Sequence, residues 1–160
     1  MSRLPVQNRN GFSVTRYNKP INMLSKARGA QEMIRRMPRW AAELAHAHAL
    51  ANFEAEGFID KGGVQRWPSK RKGVTGPGSK KLLVDTGRMK NSIKILSAGP
   101  RVARIGSNVR YSGVHNRSVG EMKKYPQGVY PGRKYLGHSS ELVDVTVQMI
   151  VGRLNLAMRR

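Results

Sequence analysis

From Leu24 to Phe58 the apolar positions Met33, Met37, Trp40, Leu44, Ala47, Ala51, Ala55 and Phe58 recur at intervals of three and four, which predicts a single helical stripe. Dense alanine between Ala41 and Ala55 favours helix intrinsically and lets a neighbour approach closely. Pro38 lacks an amide hydrogen and crowds the preceding turn, so either two helices meet there or one helix kinks. Gly57 is the expected stop. The period then shortens. Ser92 to Ala98 and Arg101 to Ser107 flank Gly99-Pro100 and read as a β-hairpin, with Ile93 and Ile95 sharing a face of the first strand as Ala103 and Ile105 do on the second. A third short strand through Val109–Val114 is the weaker expectation. Beyond Ser139-Ser140, which can cap, Val143, Val147, Ile150 and Leu154 predict a last helix to about Ala157, whose β-branched residues make it depend on packing.

The intervening stretches are dense in structure breakers. Residues 59–81 hold Gly62, Gly63, Pro68, Gly73, Gly76, Pro77 and Gly78 among seven cations, and are expected to form a long basic loop. Residues 116–134 are again turn-rich and basic. Asp85 or Thr86 can cap a helical turn running to about Asn91. Residues 1–22 read as an extended basic arm, ordered by a partner, ahead of a single domain over 23–160. The expected class is α+β: a long N-terminal helical segment, a small antiparallel sheet with its hairpin, and a C-terminal helix.

Charge changes the picture most. The chain of 160 residues carries 30 Lys+Arg against 9 Asp+Glu, a formal net charge of +21. Such a surface repels copies of itself and seeks polyanions or acidic protein. Apolar residues make up 39%, enough for one modest core supplemented by outside contacts. There is no cysteine, so disulfides and thiol chemistry are excluded. No apolar run approaches a membrane span, and Met-Ser-Arg-Leu-Pro lacks the core of a secretory signal; a protein made in the cytoplasm is expected.

Candidate chemistry is sparse. His46 and His48, two apart on a helix, point to different sides and make a poor metal pair; helical surface or interface histidines are the better reading. His115 and His138 have no carboxylate at ligand spacing. Glu54, Glu56 and Asp60 form an acidic cluster that reads as helix-end solvation or ion pairing with nearby lysines. No phosphate loop, dinucleotide fingerprint or nucleophile elbow occurs, so neither an enzyme nor a cofactor is expected. Basic residues interleaved with Tyr111, Tyr125, Tyr130 and Tyr135 keep a nucleic-acid-binding or DNA-packaging accessory protein as the alternative class.

An ordered set of short motifs is more specific than charge. It runs Phe53-Glu54-Ala55-Glu56-Gly57, Trp67-Pro68, Leu82 to Met89 with Asp85-Thr86-Gly87, and Ser92-Ile93. It continues with Ile105 to Asn108, Tyr111 and His115, and ends at Pro131-Gly132-Arg133-Lys134-Tyr135-Leu136-Gly137. The order and intervals resemble the virion-morphogenesis family of tailed phages, which includes tail-completion and neck proteins. Met89 stands where leucine is commoner, Ser112-Gly113 follow Tyr111 where alanine is usual, and Tyr135 replaces phenylalanine. The arm and the loop around Arg71 look like additions to the family pattern.

The resemblance implies a non-enzymatic virion component at the head–tail junction, assembled in the host bacterial cytoplasm. Its expected partners are copies of itself in a ring, a hexamer on this reading, and neighbouring connector, terminator, sheath or tail-tube proteins. A contact with DNA is possible and none with membrane is expected. Alone it should be monomeric or weakly associated, because +21 per subunit opposes assembly until acidic neighbours compensate. Arg3, Arg9, Arg16, Lys70, Arg71 and Lys72 are candidate interface residues, with Trp67 and Arg133. Trp67 is either a plug on the domain's own core or an interface anchor. Arg133 is read first as a cap on carbonyl groups, with a subunit carboxylate as the other choice. Asp85, Thr86, Gly87, Pro131 and Gly132 are read as structural.

Overall fold

The computed structural model describes residues 19–69, 81–126 and 128–159. The class is α+β: helix α1 (Lys19–Ala55), strands β1 (Gly57–Asp60) and β2 (Gly63–Arg66), and a turn of helix α2 (Arg88–Asn91) come first. Strands β3 (Ile93–Ala98) and β4 (Ala103–Ser107), a turn α3 (Ser112–His115), strands β5 (Met122–Tyr125) and β6 (Gly128–Pro131), and helix α4 (Ser140–Arg159) follow. The strands form three separate two-stranded antiparallel hairpins rather than one small sheet.

Helix α1 is continuous over 37 residues and includes Pro38. It begins at Lys19, inside the segment read as an arm; Pro20 falls in the first turn, where an amide hydrogen has no helical partner to lose. Its buried line is Ala42, Ala49, Asn52 and Phe53, whereas Ala47 of the expected stripe is exposed. Alanine on every side of this segment blunts the contrast that periodicity needs. The helix stops through Glu56, whose φ of 49° is left-handed, and not through Gly57. Gly57 instead opens β1, where a Cβ would lie 2.5 Å from Val64 Cγ1 and 2.7 Å from the Gln65 carbonyl oxygen.

The segment expected to be loop from residue 59 onward therefore starts as a hairpin, with Asp60 paired to Gly63 across a tight Lys61-Gly62 turn. Residues 122–125 and 128–131, also read as turn-rich, form β5 and β6, with Tyr125 paired to Gly128. The β3–β4 hairpin lies where its signals placed it, pairing Ile95 with Ile105, with an irregularity between Ile95 and Ser97. No strand forms through Val109–Val114. Short-range hydrogen bonds from Ser112 N to Val109 O (3.0 Å) and from Val114 N to Tyr111 O (3.1 Å) curl it into α3.

One core gathers Ala49, Phe53, Trp67, Met89, Ile93 and Tyr135, with Leu82, Leu83, Val84, Ile105, Val119 and Leu136 around it. Phe53 sits between Trp67, edge-on with ring centres 5.5 Å apart, and Tyr135, tilted at 5.1 Å. Leu83 takes a left-handed φ of 59°, a strained backbone offset by packing Leu82, Leu83 and Val84 against this cluster. Helix α4 packs along α1, and Arg153 stacks over the Trp40 ring at 4.1 Å. It faces inward with Leu142, Thr146, Met149, Ile150, Leu154 and Ala157, leaving Val143 and Val147 of the expected stripe exposed.

Candidate functional site

The motif residues meet in space, and most of their polar atoms are spent on holding the chain together. Asn52, fully buried in the last turns of α1, is the hub. Its Oδ1 accepts from Ile59 N (2.8 Å), and its Nδ2 donates to the Tyr135 carbonyl (3.1 Å) and lies 3.3 Å from His48 Nδ1. One side chain thus ties α1 to β1 and to the Pro131–Gly137 segment. His46 and His48 diverge as their spacing requires: His46 Nε2 bonds the Ile93 carbonyl of β3 and His48 Nε2 the Ile59 carbonyl of β1, each at 3.0 Å. Both are clamps. Among the described residues no trio of His, Asp or Glu could hold a metal ion.

Trp67 is the plug of the two readings. It is buried in the core, and its Nε1 donates to the Lys134 carbonyl at 2.9 Å. Arg133, also buried, caps carbonyls: Nε donates to Pro68 O (3.0 Å) and Nη2 to Ser69 O (3.2 Å). Burial draws its guanidinium below the usual arginine range. Pro131-Gly132 brings the chain against Ser118, whose carbonyl oxygen would stand 2.0 Å from a Cβ at position 132. The Gly132 amide donates to Glu121 O at 2.7 Å, so only glycine fits this crossing. Asn116 completes it, its Oδ1 accepting from Tyr135 N (3.0 Å) and Leu136 N (2.9 Å). Burial raises the Tyr135 phenol, although its hydroxyl donates to Ser112 O at 3.2 Å.

The cap of α2 differs from expectation. Gly87, with φ 73°, occupies the N-cap position without a side-chain bond, and Thr86 Oγ1 accepts from Arg88 N at 3.4 Å. Asp85, Thr86 and Gly87 line a hollow of about 430 Å³ with Lys81, Tyr111 and His115. His115 Nδ1 is buried and lacks a hydrogen-bond partner among the described residues. Burial, and then the nearby Arg133 and Arg117 charges, hold this imidazole below its ordinary pKa and favour the neutral ring.

The acidic cluster is structural, member by member. Glu54 pairs with both Lys81 and Lys90, and their hydrogen bonds and charges lower its carboxyl to about 2. Glu56 Oε1 accepts from the Leu82 amide. Asp60 Oδ1 accepts from Lys61 N (2.9 Å), Ser140 N (2.8 Å) and Glu141 N (3.3 Å), which caps α4 from a distant strand. The Lys61 amide contributes most to holding the Asp60 carboxyl below its ordinary value, followed by Glu141. Ser139 Oγ accepts from Leu142 N at 3.2 Å, the local half of the same cap. Asn52 and Asn116 stand outside the motifs and carry much of the wiring, and Asp60, read as helix-end solvation or ion pairing, caps α4. An asparagine deep in an alanine-rich helix was the available signal.

Arg3, Arg9, Arg16, Lys70, Arg71 and Lys72 lie outside the described residues. Exposed large apolar side chains line α4 and flank the β3–β4 turn with Leu96 and Val102, and others stand at Ile34 on α1, at Val64 on β2, at Tyr111, and at Met122 on β5. None of the described helices is long and apolar enough to cross a membrane. Compared with known proteins, residues 22–155 match the family model described as the phage virion morphogenesis family. No curated protein and no solved structure matches.

Proposed function

Because this chain belongs to the phage virion morphogenesis family, we propose that it is a structural protein of the head–tail junction, a neck or tail-completion component acting as a ring. The supporting observation is how the motif residues are used. Thr86, Gly132, Arg133 and Tyr135 all serve caps, crossings or core, so what the fold presents outward is surface and not a reaction centre. Function on this reading lies in binding. A subunit of charge +21 needs acidic neighbours before copies can close a ring, so the isolated chain should be monomeric or weakly associated.

Residues 1–18 add Arg3, Arg9 and Arg16 together with Leu4, Val6, Phe12, Val14 and Tyr17. Apolar groups among the cations fit protein pockets better than phosphate, and deleting these residues should leave the domain folded while blocking incorporation into particles. The direct test is electron microscopy of a lysate from phage lacking this protein. Filled heads and tails that fail to join, or unstable tails, with normal DNA replication, are expected; normal infectious particles would refute the proposal.

A DNA-packaging or DNA-binding role is the second reading. It draws on Lys123 and Arg117, which stack 5.7 and 5.6 Å from the exposed hairpin's Tyr125 ring centre. Binding to duplex DNA that falls log-linearly with salt and is lost in Lys123→Ala/Lys124→Ala would favour it.

A further inference from the structure

We propose that the outer face of α4 docks on the basic-rimmed hollow between α1 and the β3–β4 turn of a second copy of this chain, a head-to-tail contact. The inference rests on the ring reading and names the surfaces that would build it.

Val143, Val147, Val151 and Met158 are 46%, 52%, 48% and 50% exposed and fall on one side of α4 at intervals of four, four and seven. Over its first three turns α4 itself carries no cation. Residues 135–152 contain no Lys or Arg, in a sequence with 30 of them, and include Glu141 and Asp144. Asp144 is paired with Lys61 at 2.5 Å. Glu141 is exposed, and among the described residues its side chain has no ion pair. A copy of this strongly cationic protein meets less like-charge repulsion here than at a cation-rich surface.

The complement lies elsewhere on the same chain. Gln31, Ile34 and Arg35 of α1 and Pro100-Arg101 of the β3–β4 turn enclose a hollow of about 480 Å³. Ile34 is 54% exposed, and Val102, in the same turn, is 55% exposed. Arg36 and Arg39 are neutralised by Glu32 and Glu43, but Arg35 and Arg101 have no ion-pair partner among the described residues. The hollow thus offers apolar surface under two uncompensated cations, and α4 offers apolar surface flanked by a free carboxylate.

The two patches cannot meet within one chain. Trp40, which receives α4 through Arg153, lies about 120° around α1 from Ile34 at 3.6 residues per turn. Different patches that are complementary between copies make a heterologous contact, which closes into a ring or runs on as a filament. An α4-to-α4 contact would make only a dimer. It would also place Glu141 and Asp144 near no cation of comparable freedom.

The absence of cysteine allows a clean test in the full-length protein. Val147→Cys and Val102→Cys are made singly and together, and mild oxidation is followed on non-reducing gels in moderate salt. The expected results are a disulfide dimer from the mixture of single variants, little from either alone, and a ladder of multimers from the double variant. Glu141→Arg should cut the mixed product at least about fivefold, and Arg101→Glu on the other copy should restore it, an attraction turned to repulsion and back. Dimerisation of V147C alone in preference to the mixture would overturn the proposal, as would a double variant that never passes monomer. So would thiol labelling of V147C that stays slow until residues 1–18 are removed, since the chain's own arm would then cover α4. Wild-type protein present in particles at ring stoichiometry, with no ladder from the double variant, overturns this contact and leaves the head–tail reading standing. Absence of the wild-type protein from particles overturns that reading whatever the gels show.

Discussion

The last turns of α1 and the whole of α4 are both apolar helix, yet they are held in opposite ways. The α1 segment buries Ala42, Ala49, Asn52 and Phe53 almost completely. Among the described residues of α4 none is buried. Helix α4 is fixed at points instead, by Asp60 and Ser139 at its start, by Lys61 on Asp144, and by Trp40 under Arg153. A helix held this way keeps a free apolar side. One helix specifies the domain, and the other is available to something outside it.

Substitutions should separate these roles, and the largest effects belong to the α1 side. Phe53→Ala or Trp67→Ala empties the centre of the aromatic trio and should cost about 3–5 kcal/mol, read by chemical denaturation. Val147→Asp on α4 should by contrast change stability by less than about 0.5 kcal/mol. If both substitutions unfold the protein, the contrast between the helices is lost. Asn52→Ala strands the Ile59 amide and the Tyr135 carbonyl in the interior and should cost about 3 kcal/mol, with faster hydrogen exchange at Ile59. Loss at the level of an exposed polar residue would show that water replaces the hub.

The pairs outside the core give the smallest effects, visible in acid. Glu54 is held at about 2, below its ordinary 4.5, so its contribution is complete above about 4.5 and disappears as pH falls towards 2. Asp60 is also lowered and acts in the same direction. Glu54→Gln should therefore flatten part of the acid limb of the stability curve and leave neutral stability little changed, since the carboxylate is exposed and screened. An unaltered acid limb would remove these pairs from the account.

Legibility along the sequence followed contrast between faces. The β3–β4 hairpin was readable because Gly99-Pro100 interrupts alternating segments that bury Ile93. Strand β2 is exposed at every position and β5 at all but Tyr125, so neither alternates, and their hairpins read as loop. The Gly62-Gly63 pair and Pro126 were the signals present. On α4, valines lie on two sides, and sequence alone cannot tell a core face from a docking face. Trp67 and Arg133 stood in the motifs, but whether they faced inward depended on partners 64 to 67 residues away. Long-range hydrogen bonds such as Asp60 to the start of α4 leave no local pattern to read.

On the proposed function the chain is part of the finished particle. Quantitative mass spectrometry of purified, DNA-filled particles tests it most directly. A small fixed copy number per particle that matches a single ring is expected, six on the hexameric reading. Absence from washed particles, or a copy number that scales with the capsid shell, would contradict it.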